Sequence, residues 1–115
     1  MRNLAIALGF AAALFACSSS STSSTASCAS SGASATISAS DALTFSPGSA
    51  TITHGQSVCW QNTGAITHTV TSNDNTSFNS NLAGGAVFQY TFPTAGSFPY
   101  RCTIHAGMAG TITVN

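Results

Sequence analysis

Turn-forming groups break this chain too often to leave room for a helical fold. They are Pro47-Gly48, His54-Gly55, Asn62-Thr63-Gly64, Gly84-Gly85 and Ala95-Gly96. Gly adopts backbone angles that other residues avoid, and Pro fixes φ and lacks an N–H, so each group ends an element. The runs between them are short and β-like: Ala35–Ser38, Leu43–Phe45, Ala50–Thr53, Ser57–Asn62, His68–Thr71, Ala86–Phe92, Ser97–Cys102 and Gly110–Val114. Val87, Gln89 and Thr91 alternate with Phe88, Tyr90 and Phe92, and Ile112 and Val114 alternate with Thr111 and Thr113. That is the two-residue period of a half-buried strand. No segment of helical length carries an apolar stripe at 3.6-residue spacing, and no internal repeat is visible. Eight short strands in one small domain imply an all-β fold, an antiparallel Greek-key β-sandwich.

Charge removes several function classes. Only 3% of the 115 residues are charged: Arg2, Asp41, Asp74 and Arg101. Nucleic-acid binding needs clustered Lys and Arg to neutralise phosphates, and none exists. Catalysis by paired carboxylates is equally disfavoured, because the two Asp stand far apart in the chain and there is no Glu. Polarity comes mainly from Ser and Thr. With 43% hydrophobic residues the chain still has enough apolar surface for a core.

The N-terminal third differs from the rest. Arg2 precedes an apolar stretch, Leu4 to Ala16, of signal-peptide length and too short to span a bilayer comfortably. It ends in Leu14-Phe15-Ala16-Cys17, which resembles the lipobox of bacterial lipoproteins, where the Cys is lipidated after cleavage. The resemblance implies a signal peptide over 1–16 and lipidation of Cys17, with an ordinary cleaved signal as the alternative. Ser18 to Ser34 is almost wholly Ser, Thr and Ala. It cannot bury enough apolar area to offset ordering entropy, so 17–34 reads as a linker and 35–115 as the folded domain. A free coil of that length spans roughly 20–25 Å.

The chemistry concentrates near the C-terminus. Cys102-Thr103-Ile104-His105-Ala106-Gly107-Met108 places a thiol, an imidazole and a thioether at spacing Cys-x2-His-x2-Met between two strand-like runs. A second imidazole, His68, starts another strand upstream. Two His, one Cys and a weak axial Met form the ligand set of a blue-copper electron-transfer site. Thiolate suits Cu(I), imidazole suits both oxidation states, and a weak axial donor lets the geometry change little on electron transfer. Singly, each residue is ordinary: Cys102 as a small hydrophobe, Met108 as core, His68 as a turn residue. His54, in the His54-Gly55-Gln56 turn, reads as a solvated turn residue without a ligand role.

Taken together, these residues resemble the cupredoxin family of small blue-copper proteins, which includes plastocyanin, pseudoazurin and amicyanin. Phe45-Ser46-Pro47 and the run Ile52 to Asn62 with its Trp60 match the family. So do His68-Thr69-Val70 and the approach Phe92-Pro93-Thr94-Ala95-Gly96 through Tyr100-Arg101-Cys102. The ligand loop has the short amicyanin-like length. The resemblance implies that His68, Cys102, His105 and Met108 bind one type 1 copper ion. Two departures stand out. Ile104 occupies a position where many members carry Pro, and Thr69 one where Asn commonly follows the first His. An Ile104 N–H, absent in Pro, is expected to be aimed at the Cys102 sulfur and to raise the reduction potential.

With Cys102 on copper and Cys17 lipidated, only Cys28 and Cys59 remain to pair, and an exported context permits a disulfide. Val58 and Trp60 should face the core, which turns Cys59 outward, within reach of Cys28. Such a bridge would contribute roughly 3 kcal/mol; two free thiols are the alternative. The functional expectation is a monomeric, lipid-anchored, non-enzymatic protein. It shuttles single electrons between redox partners that dock transiently near His105, on the periplasmic side of a bacterial outer membrane or at the cell surface. The alternative, copper storage or delivery, fits less well because carriers rely on Met- or His-rich clusters. An Ig-like domain without metal is the third reading.

Overall fold

The computed structural model describes residues 27–115. The signal-like segment and Cys17 lie outside the described residues. Among the described residues nine strands form: β1 (Ala35–Ser40), β2 (Thr44–Ser46), β3 (Ser49–Ile52), β4 (Ser57–Asn62), β5 (His68–Ser72), β6 (Asn79–Leu82), β7 (Val87–Thr91), β8 (Gly96–Arg101) and β9 (Ala109–Val114). They make two sheets, ordered β2-β1-β4-β7 and β3-β9-β8-β5-β6. The sandwich expected from the punctuation is therefore present, with eight of its strands close to their expected positions.

Alternation decides which side chains meet between the sheets. On β4, Val58 and Trp60 enter the core while the intervening Cys59 lies outside the core cluster. Ile112 and Val114 do the same from β9. Trp60 is the centre of the packing. Its ring lies 5.4 Å from Tyr100, 5.6 Å from Phe78 and 5.7 Å from Phe88. Aromatic pairs at such distances add to the area they bury. Tyr100 is fully buried two residues before Cys102, so the strand that delivers the cysteine is fixed by the centre of the core.

The structure corrects two expectations, strand direction and strand number. The sheets are mixed: β1 runs parallel to β4 and β3 parallel to β9, the other pairings being antiparallel. Side-chain alternation has the same period in either direction, so it carries no information on strand polarity. A ninth strand, β6, was not expected from Asn79-Ser80-Asn81-Leu82. Asn and Ser have low strand propensity, but the free edge of β5 pairs with this segment and Leu82 fills the core. The docked chain also begins upstream of Ala35. Cys28–Ser30 forms a single 3-10 turn capped by Ser27, and Cys28 is disulfide-bonded to Cys59. The Cys28 N–H reaches Gln61 Oε1, and the Ser34 N–H donates to the Ser57 carbonyl. Cys59 does point away from the core, but it is fully covered because the turn lies over it.

Candidate metal centre

Two strands and one loop build the site. His68 is the first residue of β5 and is completely buried. Cys102 directly follows β8, and Met108 directly precedes β9. The Cys102 N–H donates to the Met108 carbonyl at 2.9 Å and the Met108 N–H to the His105 carbonyl at 3.4 Å. The seven-residue segment is thus closed at its base like a hairpin, with Gly107 at φ 82° making the turn between His105 and Met108. A left-handed φ of this kind is a glycine conformation.

The donor atoms converge. His68 Nδ1 lies 3.2 Å from His105 Nδ1, and Cys102 Sγ lies 3.5 Å from the same His105 nitrogen. The three ligand atoms sit within 4.8 Å of one another. Nε2 of His68 is 3.0 Å from the carbonyl oxygen of Ser40. A carbonyl can only accept, so Nε2 carries the proton and Nδ1 presents its lone pair to Cys102 and His105. Two imidazole nitrogens and a buried sulfur around one point suit a copper ion or another borderline-soft cation. Met108, 1% exposed, is held at the closed base of the same loop. His54 is remote from this cluster: it is exposed, and its Nδ1 meets the Asn115 carbonyl at 3.0 Å.

The sulfur receives one backbone hydrogen bond, and it comes from Thr69. The Thr69 N–H donates to Cys102 Sγ at 3.3 Å. No bond from the Ile104 N–H to that sulfur exists, and Ile104 is 54% exposed. The expectation for Ile104 is corrected: β5 runs beside Cys102 and fills the donor position first. Thr69 also locks the two ligand-bearing segments together. Its Oγ1 accepts from the Thr103 N–H at 2.8 Å and lies 3.1 Å from Thr103 Oγ1. Ile104→Pro should therefore leave the reduction potential of a copper-loaded site unchanged, to be checked by protein-film voltammetry. A drop on the order of 50 mV, about one kcal/mol for one electron, would restore the Ile104 donor.

Two groups near His68 escaped the sequence reading. One is the Ser40 carbonyl. The other is Asp41, whose carboxylate accepts from the N–H groups of Ala65 and Ile66. Those bonds, Ile66 first, hold the Asp41 carboxyl below its ordinary pKa. Nothing local announces a backbone carbonyl as a partner, and an isolated Asp in a turn is common. Beside the donors an open groove runs along Asn73, Arg101 and the loop from Thr103 to Ala109. The Arg101 guanidinium is held by Asn73 Oδ1 at 3.2 Å and Asn75 Oδ1 at 2.9 Å.

The chain is similar to known proteins in sequence and in fold. Residues 32–115 match the family described as copper binding proteins, plastocyanin/azurin family. A plastocyanin from Scenedesmus fuscus is 36% identical over 88 residues, covering 65% of this chain and 90% of the plastocyanin. A novel purple cupredoxin from Nitrosopumilus maritimus aligns with a TM-score of 0.64 at 28% identity, over 70% of this chain and 99% of that one. Amicyanin from Paracoccus versutus gives a TM-score of 0.64 at 23% identity, over 70% of this chain and 80% of amicyanin, a likeness of fold.

Proposed function

The chain belongs to the plastocyanin/azurin family of copper-binding proteins, and on that premise we propose that it carries single electrons between redox proteins, with His68, Cys102, His105 and Met108 as the ligands. The observation that carries this reading is the convergence of His68 Nδ1, His105 Nδ1 and Cys102 Sγ within 4.8 Å. Bound there, copper supplies a reversible one-electron couple. The protein's part is to keep the donors still. His68 is fixed by Ser40, Cys102 by the Thr69 N–H, and the loop by its closed base. A site held this firmly changes little between oxidation states, which favours fast transfer. Adding one equivalent of Cu(II) should give an intense visible Cys-to-Cu(II) band and a reversible voltammetric wave. A colourless complex, or a band without a wave, would defeat the proposal.

Met108 tests the axial position. Met108→Leu removes a weak donor that favours Cu(II), so the band should persist and the potential should rise on the order of 50 mV or more, close to a tenfold change in the redox equilibrium. A lost band would show that Met108 holds more than a weak axial place.

Partners would dock on the ligand end of the domain. Leu43 and Ile66, each 40% exposed, and Ile104, 54% exposed, are the exposed large hydrophobic side chains among the described residues. All three sit in loops next to the segments that hold His68 and Cys102. Asp41, Asp74 and Arg101 are the only charged side chains among the described residues. An apolar, nearly uncharged surface suits brief contacts with little electrostatic steering. Association rates should change little from about 0.01 to 0.15 M salt, although the screening length falls from about 30 to 8 Å. Stopped-flow rates that fall steeply over that range would argue for a charged interface.

We extend the proposal to attachment. Cys17, by its lipobox-like context, would be acylated and hold the domain at a bacterial outer membrane or cell surface. Cys17→Ala should move the protein out of the membrane fraction or arrest its precursor. Unlipidated, soluble mature protein in the natural host would end this part of the reading.

A further inference from the structure

The turn that follows β1 has an unusual set of partners. Its Ser40 carbonyl accepts twice, from the Leu43 N–H at 3.0 Å and from His68 Nε2–H at 3.0 Å. Leu43 closes the turn at φ 60°, a left-handed angle that a leucine rarely adopts unless its surroundings impose it. The next residue along from Ser40, Asp41, reaches across to the loop that leads into β5. One carboxylate oxygen accepts from both Ala65 and Ile66 N–H at 3.0 Å, and the other lies 3.2 Å from the Ala65 nitrogen. Gly64 completes the contact. A Cβ built there would overlap the Asp41 carboxylate, so the loop passes this close only because residue 64 has no side chain. From the core side Asn62 holds the same loop. Its Nδ2 donates to the Ile66 and Leu82 carbonyls, and its Oδ1 accepts from the Gly64 N–H.

Thr63 also donates its N–H and Oγ1–H to the Ala39 carbonyl, but that contact holds the start of the loop. Among these contacts only Asp41 ties the turn after Ser40 to Ala65 and Ile66, nearest His68. Without Asp41 the Ser40 carbonyl would still lie near the imidazole, but the distance between them would no longer be fixed from both ends. We propose that Asp41 is a positioning residue for His68. Its carboxylate clasps Ala65 and Ile66 so that the Ser40 carbonyl stays on Nε2–H, which keeps the ring in one tautomer with Nδ1 toward Cys102 and His105. The inference rests on His68 acting as a ligand only for its consequence in copper binding; the clasp itself belongs to the metal-free protein.

The test begins without metal. In ¹⁵N-labelled apoprotein at pH 8, long-range ¹H–¹⁵N spectra should show His68 as a single Nε2–H tautomer. Its ring proton should exchange slowly enough to observe. In Asp41→Ala the ring should sample both tautomers and that proton signal should vanish, while exposed His54 is unchanged. Gly64→Ala, which expels the same carboxylate from the other side, should do likewise. Combining the two should add little, because both remove one interaction. Asp41→Asn, which keeps one carbonyl acceptor, should fall between and serves if Asp41→Ala does not fold. On loading, Cu(II) should bind Asp41→Ala roughly tenfold more weakly, as lost outer partners of ligating histidines commonly cause. A His68 that keeps one slowly exchanging tautomer in Asp41→Ala or Asp41→Asn, with only the melting temperature lowered, would reduce Asp41 to a loop stabiliser and overturn the proposal. A protein that never turns blue would instead defeat the copper reading, and the apoprotein spectra would still decide the clasp.

Discussion

Cys102→Ser is expected to remove the blue colour altogether and to weaken Cu(II) binding by at least about a thousandfold, near 4 kcal/mol. The residue is 4% exposed, so a substitution there must be nearly isosteric to leave the fold intact, and Ser is. The serine hydroxyl can still take the Thr69 N–H that now donates to the sulfur at 3.3 Å. Folding should therefore survive, with the loop closed through the Cys102 N–H to Met108 carbonyl bond. What is lost is the soft, easily ionised donor. A hydroxyl near neutral pH is neither anionic nor polarizable, so the donor set falls to two imidazoles and a thioether. Circular dichroism separates this result from misfolding, and titration with Cu(II) reads the affinity. An intense visible band in folded Cys102→Ser protein would refute the ligand assignment.

Replacing both Cys28 and Cys59 by Ser should lower stability by about 3 kcal/mol while leaving the copper band untouched. The bridge closes a loop of sequence separation 31. Constraining a loop of that size in the unfolded chain stabilises the native state by about 3–4 kcal/mol. For a domain of this length the melting temperature should fall on the order of 15 °C. Both sulfurs are covered, so two buried hydroxyls in their place add a further small cost. The band should not respond, because Cys59 lies on β4 in one sheet and the donors hang from β5 and the β8–β9 loop in the other. Thermal melts of the double variant, and of the parent with reductant, measure the effect. Equal melting temperatures would show the bridge to be structurally idle.

The electron-carrier reading and the clasp at Asp41 together suggest how so sparsely charged a domain holds a metal site in shape. Backbone groups do most of the work: the Ser40 carbonyl on His68, the Thr69 N–H on the sulfur, the Met108 carbonyl on the Cys102 N–H. Asp41 acts through backbone N–H groups as well.

That dependence on backbone partners explains which features the sequence could reveal. Val58, Trp60, Ile112 and Val114 carry their inward placement in their own polarity at two-residue spacing, so the core face was legible. The metal centre was legible for a similar reason. A thiol, an imidazole and a thioether at fixed offsets in one short loop are chemical identities, and His68 completes them. The pairing of Cys28 with Cys59 followed once the other two cysteines had roles, and the bridge is present. The parallel directions of β1 with β4 and β3 with β9 were not legible, since alternation is blind to polarity. Nor was β6, which owes its strand form to the free edge of β5 rather than to Asn79, Ser80 and Asn81. The sulfur's hydrogen bond was assigned to Ile104 by nearness in sequence, yet Thr69 supplies it from 33 residues away. Ser40 meets His68 across 28 residues. Side-chain chemistry is written residue by residue, so the sequence alone pointed to the candidate ligands and the core face. Every residue except proline offers the same N–H and C=O, so only the registered packing of distant strands could decide which backbone groups hold those ligands in place.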